Sequence, residues 1–228
     1  MVKTLKDLLE TFSGTTPLFP LPDFVFFPQT VQPFRIFEPH YVQMVKDCQA
    51  GERMLTIALL QETEADRHDA APPFCNIATL GYVTDVKPLE GDRFDILVTG
   101  LVKVQVEEVD SDRPYRRGAV TPLTEFSQVT DAEHKRKHIL HLFQSILDRA
   151  EVHSSLEVLE AADIPLPMLA HVIISALPIE AQEKQKMLEL QSLELRIEIL
   201  ENFLETGLQT MDAMGPFEPI LPSHPWWN

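Results

Sequence analysis

The chain has 228 residues, with 19 lysines and arginines against 35 aspartates and glutamates, for a formal net charge of −16. A field of that sign repels phosphate backbones unless the few cations cluster, which disfavours nucleic acid as a partner. Hydrophobic residues make up 44% and charged residues 24%, the balance of a globular protein, and no apolar run approaches the roughly 18 residues that exclude a soluble reading, so a membrane span is ruled out.

The first dozen residues, MVKTLKDLLETF, predict a short amphipathic helix with Leu5, Leu8, Leu9 and Phe12 on one face. Lys6, Asp7 and Glu10 break it with charges that no signal peptide has. Residues 18–123 then read as strands, in short runs of Val, Ile, Leu and Phe punctuated by Pro and Gly. In LFPLPDFVFFP, Pro20, Pro22 and Pro28 confine any strand to short, edge-like pieces. Phe24, Phe26 and Phe27 are expected on one strand, the first two sharing a face. EPHYVQMVKDCQAGE follows, where Tyr41, Val42, Val45 and Cys48 fall at helical spacing and Gly51 supplies a stop.

RMLTIALLQ suits a buried strand, and ETEADRHDAAPP a polar loop. NIATLGYVTDVKP and RFDILVTGLVKVQVEEV are two β-rich segments joined through Leu89-Glu90-Gly91-Asp92, a hairpin with a glycine available for positive φ. Alternation is poor in Phe94-Asp95-Ile96-Leu97-Val98, which predicts cover on both faces. One more short strand is expected over 115–121. The two cysteines, Cys48 and Cys75, are too few for a disulfide scaffold or a four-cysteine zinc site. A reducing cytoplasm is the simplest compartment for them, and Cys48 reads as a small buried hydrophobe.

After Glu125 the apolar period changes from two to 3.6, the clearest internal boundary. Ile139, Leu142, Phe143, Ile146 and Leu147 form one helical stripe. Pro167 sits where a helix can begin, and Met168, Leu169, Val172, Ile173, Ala176 and Leu177 continue a second stripe. Residues 179–204 lack Gly and Pro and predict one long helix closed by Gly207. The last stretch, GPFEPILPSHPWWN, has four spaced prolines that forbid a regular helix or a central strand.

This order, a compact β unit with an inserted helix and then a helical bundle, resembles the Lon protease N-terminal substrate-binding domain. Leu18-Phe19-Pro20-Leu21-Pro22-Asp23-Phe24-Val25-Phe26-Phe27-Pro28 is similar to that family's opening strand, and the likeness continues through Pro33-Phe34-Arg35-Ile36-Phe37-Glu38-Pro39-His40-Tyr41. Ile77-Ala78-Thr79-Leu80-Gly81-Tyr82-Val83 resembles a later strand, with Ala78 in the usual glycine place, and Leu97-Val98-Thr99-Gly100-Leu101-Val102-Lys103-Val104 resembles the next. In the helical half, Leu177-Pro178 and Glu183-Lys184-Gln185-Lys186-Met187-Leu188-Glu189 are similar to the family's lysine–glutamine signature. Together these span roughly residues 17–205.

The resemblance implies an α+β fold: a PUA-like β pseudobarrel over 1–125, including the short N-terminal helix, a helical bundle subdomain over 126–206, and a Pro/Trp-rich tail over 207–228. It implies a non-catalytic module that captures unfolded or degron-bearing polypeptides in protein quality control or proteolysis, with no cofactor and with a separate protease as an open option for a partner. Lon proteases add a phosphate-binding ATPase loop and a Ser–Lys peptidase; this sequence contains no GxxxxGK[ST], and neither unit is expected in it. The alternative from another class is RNA binding, which PUA-like folds often perform. It requires Arg35, Arg53, Arg93, Arg113, Arg116 and Arg117 to cluster on one surface.

The residues singled out have ordinary readings as well. Strand phenylalanines usually fill a core; the functional reading is that Phe24, Phe27, Phe34 and Phe37, with Tyr41, line an apolar groove for extended peptides. His134, His138 and His141 share a helical face and are the best metal candidates, yet Lys135, Arg136 and Lys137 are interleaved, and a solvated face is the favoured account. Glu107-Glu108, Asp110 and Asp112 read as a solvated loop at a strand end, and the GxSxG of a serine hydrolase is absent. Trp226 and Trp227 are the chain's two tryptophans, and two indoles after a proline-rich run are expected to dock, on this molecule or on a neighbour, unless the tail simply frays. One reading has them plug the peptide groove in cis.

Overall fold

The computed structural model describes residues 5–61, 72–152 and 164–214. Most of the polar loop that follows Gln61, and the tail with Trp226 and Trp227, lie outside the described residues. The elements in chain order are α1 (Leu5–Glu10), β1 (Thr15–Leu21), β2 (Val31–Ile36), α2 (Pro39–Ala50), β3 (Met54–Leu59), β4 (Ile77–Leu89), β5 (Arg93–Val109), β6 (Arg117–Pro122), α3 (Ala132–Arg149), α4 (Leu166–Ala176), α5 (Ala181–Glu189) and α6 (Leu193–Met214). They form two compact units. The first holds residues 1–124 with 178–189, the second 125–177 with 190–228.

In the first unit the strand order is β2-β5-β4-β3-β1-β6, and β6 also pairs with β5. That extra pairing closes a ring of β5, β4, β3, β1 and β6, with β2 laid on the outside edge of β5: a pseudobarrel in an α+β fold. Closure is possible because β5 is 17 residues long. Its first half pairs with β2 and its last third with β6, while β4 runs along most of its other side.

The prolines act differently from a simple edge rule. β1 carries Pro17 and Pro20 and yet lies inside the ring. It pairs with β6 only over residues 15–17 and with β3 only over 18–21, so each proline has a strand on one side alone and no ladder bond is forfeited on the other. β3 is buried along its whole length. The β4–β5 hairpin closes over Glu90, Gly91 and Asp92, with φ of 74° at Gly91 and 53° at Asp92. In β5, Ile96 and Val98 are buried while Leu97 is exposed, so this stretch alternates; the branched residues had masked a strand with one covered face.

Two apolar clusters fill this unit. Phe19, Phe26, Ile36, Leu55, Ile57, Val83, Ile96, Val98 and Tyr115 pack with Val42, Met44, Val45 and Cys48 of α2. Leu18, Met54, Ala58, Leu80, Val104, Val106 and Val120 pack with Leu8 of α1. α5 belongs here too: Gln185 Nε2 donates to the Ile77 carbonyl at 2.9 Å.

The second unit contains α3, α4 and α6. Lys135 meets Glu194 and Glu198, His138 meets Glu205, and Arg149 meets Asp212. These contacts advance together along both chains, so α3 and α6 run side by side in the same direction. Ile139, Leu142 and Phe143 of α3 and Ile197, Leu200 and Leu204 of α6 are buried. In α4 the buried set is Leu166, Leu169, Ala170, His171, Ile173 and Ile174, and Ala176 of the predicted stripe is exposed.

The single helix expected over 179–204 is two. Ser192 ends the run: its backbone bridges to Phe126, and its hydroxyl accepts the Leu195 N–H at 3.2 Å as an N-terminal cap. Arg196, fully buried, donates to Glu125 Oε1 at 2.5 Å, to the Leu190 carbonyl at 2.6 Å, and to His171 Nε2 at 3.0 Å. A buried guanidinium needs acceptors, and the Leu190 carbonyl at the break is one of them. Gly207 does not close α6, which continues to Met214; a mid-helix glycine costs only about 1 kcal/mol against alanine.

Candidate functional site

The segment 24–28 is where the site is built. It is not a strand; it runs between Asp23, at φ 51°, and Gln29, at φ 62°. Two left-handed residues turn the chain sharply on either side of it, and neither is a glycine that would have announced the turn. Between them, Val25, Phe26, Phe27 and Pro28 are buried, and Phe24 is half-buried. Period two therefore does not describe these side chains.

The floor under this segment is made by β4 and β5. Gly81 faces Gly100 across the ladder, beside a register shift that leaves Leu101 unpaired as a bulge. A β-carbon on Gly100 would collide with the Phe27 carbonyl oxygen, and one on Gly81 would come within 2.6 Å of Val98 Cγ1 and 3.3 Å of the Phe26 ring. Gln29 N donates to the Gly100 carbonyl at 2.9 Å, and Gly100 N to the Thr30 carbonyl at 2.8 Å. Thr79 Oγ1 donates to the Phe26 carbonyl at 2.5 Å, and Thr30 Oγ1 to that of Phe27 at 2.7 Å. Sequence reasoning passed over Gly81, Gly100 and Thr79 as binding-site scaffolding. The readable signal was two glycines inside otherwise apolar strands, which mark a bulge or a close backbone approach.

Upon this floor an aromatic group assembles. Phe34 of β2 meets Phe19 at 5.5 Å, Phe24 at 5.6 Å and Phe26 at 6.4 Å between ring centroids, all edge to face. Tyr41 of α2 meets Phe19 at 4.7 Å, and the His40 ring lies 4.0 Å from that of Tyr41. Edge-to-face packing is the arrangement that ring quadrupoles favour. Burial beside Glu38 pushes the Tyr41 hydroxyl above its ordinary range, so it stays neutral.

Of the five residues expected to line a groove, Phe24, Phe34 and Tyr41 thus share one half-buried cluster. Phe37, in the turn between β2 and α2, is 64% exposed. Phe27 is fully buried and has no surface to offer a ligand. Among the described residues β2 pairs with β5 alone, so its other edge carries backbone groups outside the ladder, with no N–H at Pro33. Val31 and Leu97 add exposed apolar surface on β2 and its neighbour. Arg35 and Asp95, directly opposite across the pair, form a two-bonded ion pair with Nε–Oδ1 2.9 Å and Nη2–Oδ2 3.3 Å.

A second recess, of about 220 Å³, lies between β1, α2 and β6 and includes Asp47, Cys48, Glu52, Arg113, Tyr115 and Arg117 in its wall. Its charges are largely satisfied internally. Tyr115 Oη donates to Asp47 Oδ2 at 2.6 Å, Arg113 Nη1 to the same oxygen at 3.1 Å, and Ser13 N and Oγ to the Glu52 carboxylate. The Tyr115 hydrogen bond, with Gln43 and the two guanidiniums, holds the Asp47 carboxyl below its ordinary range. Burial pushes the Cys48 thiol up to about 12, a hydrophobe without thiolate character. Cys48 and Cys75 are both free.

On the histidine face His134 and His141 are exposed and His138 is half-buried. His134 and His138 lie parallel at 6.3 Å, and His138 Nε2 sits 3.1 Å from Glu205 of α6. Among the described residues no three His, Cys, Asp or Glu side chains are placed to hold a metal ion. Nor is any described helix long and apolar enough to cross a membrane.

A closed β barrel of the PUA-like type with a helical second unit defines a class of fold that Lon N-terminal domains share. The N-terminal domain of Mycobacterium avium complex Lon protease matches with a TM-score of 0.66 at 18% identity, over 84% of this chain and 98% of that one. The Lon N-terminal domain protein from Xanthomonas campestris matches with a TM-score of 0.59 at 18% identity, over 83% and 98%.

The profile of the ATP-dependent protease La (LON) substrate-binding domain matches residues 15–206, and the chain belongs to that family. Among curated relatives, the Lon protease of Koribacter versatilis is 26% identical over 208 residues, and that of Desulforamulus reducens 23% identical over 198. These alignments take in 90% and 86% of this chain but only 25% and 24% of the relatives. The chain spans about a quarter of the length of the Lon proteases it matches.

Proposed function

We propose that this protein is a non-catalytic recognition module that binds unfolded or degron-bearing polypeptides in a proteolytic, quality-control setting. The surface for them is formed by Phe24, Phe34, Phe37 and Tyr41 together with the free edge of β2. The observation that carries this reading is the pairing of two features in one place: an edge strand that, among the described residues, is paired on one side only, and beside it the half-buried rings of Phe24, Phe34 and Tyr41, with the exposed Phe37 following the end of β2. An extended peptide adds main-chain bonds along such an edge and seats its apolar side chains on the rings. Recognition of that kind is tolerant of sequence and requires no covalent step.

The basic residues favour this reading over an RNA-binding one. Arg35 is paired with Asp95, Arg113 with Asp47 and Arg116 with Glu108, while Arg53 and Arg93 donate to backbone carbonyls. Three of the six arginines are thus neutralised by carboxylates, which supports an acidic field over a basic patch. The test is a titration of the purified protein with a reduced, alkylated, permanently unfolded polypeptide and, separately, with single-stranded RNA at physiological salt. Saturable polypeptide binding that persists as salt is raised is the expected result. Salt-sensitive RNA binding with indifference to the polypeptide would reverse the assignment.

A further inference from the structure

Among the described residues, every arginine but one has an acceptor. Arg35, Arg113, Arg116, Arg149 and Arg196 meet carboxylates, and Arg53, Arg93 and Arg136 donate to backbone carbonyls. The exception is Arg117, the first residue of β6. It is half-buried, and its guanidinium makes no ion pair or hydrogen bond with any described residue. Asp47 feels its charge through space but is not bonded to it. A guanidinium carries five N–H donors in one plane, so a half-buried one with none of them engaged by the fold marks a place for an anion.

Arg117 stands in the wall of the recess of about 220 Å³ between β1, α2 and β6. The register of β1 on β6 sets Pro17 directly opposite it, and Pro17 with the buried Cys48 and Met54 gives the wall an apolar stretch. The two acids of the wall differ in what they have left to accept. Asp47 already takes Gln43, Arg113 and Tyr115. Glu52 is exposed and takes only Ser13 N and Oγ, which leaves it lone pairs for a further N–H.

This combination selects the ligand. A planar carboxylate receives two parallel bonds from a guanidinium. Phosphate does so as well, but Asp47 and Glu52 beside the site and a net charge of −16 oppose a second negative charge. The volume is below the roughly 300–1,000 Å³ of pockets that enclose drug-sized molecules, so the ligand is compact. An N–H on the carbon next to its carboxylate has Glu52 to donate to, and a small side chain has the apolar stretch.

We propose that this recess binds a compact α-carboxylate, gripped by Arg117, with an N–H turned to Glu52: the last residue of a polypeptide, or a free amino acid. The site stands on β1, α2 and β6 and does not depend on the polypeptide surface at β2.

The experiment is a titration of the full, nitrogen-15-labelled chain, read from the amide shifts of residues 47–52 and 113–118. N-acetylalanine stands for a chain end and alanine for a free amino acid; N-acetylalaninamide lacks the carboxylate, and inorganic phosphate is the competing anion. Saturable shifts are expected with at least one of the two carboxylates, with the amide and phosphate at least tenfold weaker. A response to N-acetylalanine alone assigns the site to chain ends, and a response to alanine alone assigns it to free amino acids. Arg117→Gln should weaken binding at least tenfold and Arg117→Lys, which keeps the charge and loses the fork, several-fold. Arg93→Gln, which makes the same change of charge outside the recess, should leave it unaltered. Because no described residue accepts from Arg117, both Arg117 variants should keep the parent's thermal midpoint. No saturable shift at the recess with either carboxylate overturns the proposal. So does an amide or phosphate that binds as well as they do, or binding that survives in Arg117→Gln.

Discussion

Phe27 and Phe37 are ten positions apart and separate packing from recognition. Phe27 is fully buried and Phe37 mostly exposed. Phe27→Ala should therefore cost about 3–5 kcal/mol of stability, seen as a lower denaturant midpoint. Phe37→Ser should leave that midpoint within about 0.5 kcal/mol and weaken polypeptide binding several-fold. Sequence patterning could not tell these two residues apart, because both sit in Phe-rich, Pro-bounded runs; the turns at Asp23 and Gln29 set the segment of Phe27 inside, while Phe37 falls between β2 and α2. Gly100 gives a sharper test of the floor. Gly100→Ala drives a methyl into the Phe27 carbonyl and should destabilise by about 1–3 kcal/mol, displacing the aromatic segment and reducing binding with it. Asp47 has a pH signature. Its carboxyl is held below the ordinary value of 3.8, chiefly by the Tyr115 hydrogen bond, so its contribution to stability is fully present above that value and is lost as pH falls through the lowered folded one. Asp47→Asn should flatten the stability profile over that acidic window.

At the level of elements, the strands and α2 were legible because period and punctuation agreed. Pro39 at the start of α2, the hairpin at Gly91 and the change of period after Glu125 all stand where the chain turns. What was not legible depended on distant partners. The break between α5 and α6 has no Gly or Pro; it rests on the Ser192 cap and on a pairing with Phe126, more than sixty positions earlier. Ser192→Ala should cost about 0.5–2 kcal/mol. The Leu190 carbonyl at this break is one of the acceptors of buried Arg196. Removing another, by Glu125→Ala, leaves the guanidinium short of its charged partner and should cost about 3–5 kcal/mol, measured by denaturant unfolding. Similarly, β1 tolerates Pro17 and Pro20 inside the ring only because β3 and β6 divide its length between them, which local propensity does not reveal.

For the whole molecule, a charge of −16 and the proposed apolar docking surface make one joint prediction. Binding driven by apolar burial and strand-edge hydrogen bonds should show almost no dependence on salt, whereas contact with a polyanion would weaken steeply. The most direct test is amide hydrogen exchange on the protein saturated with an unfolded polypeptide. New protection is expected in β2 and through the turn that carries Phe37, with the interior strands β3 and β4 unchanged. Protection confined to the helices, or none in β2 at saturation, would contradict a polypeptide site at this edge.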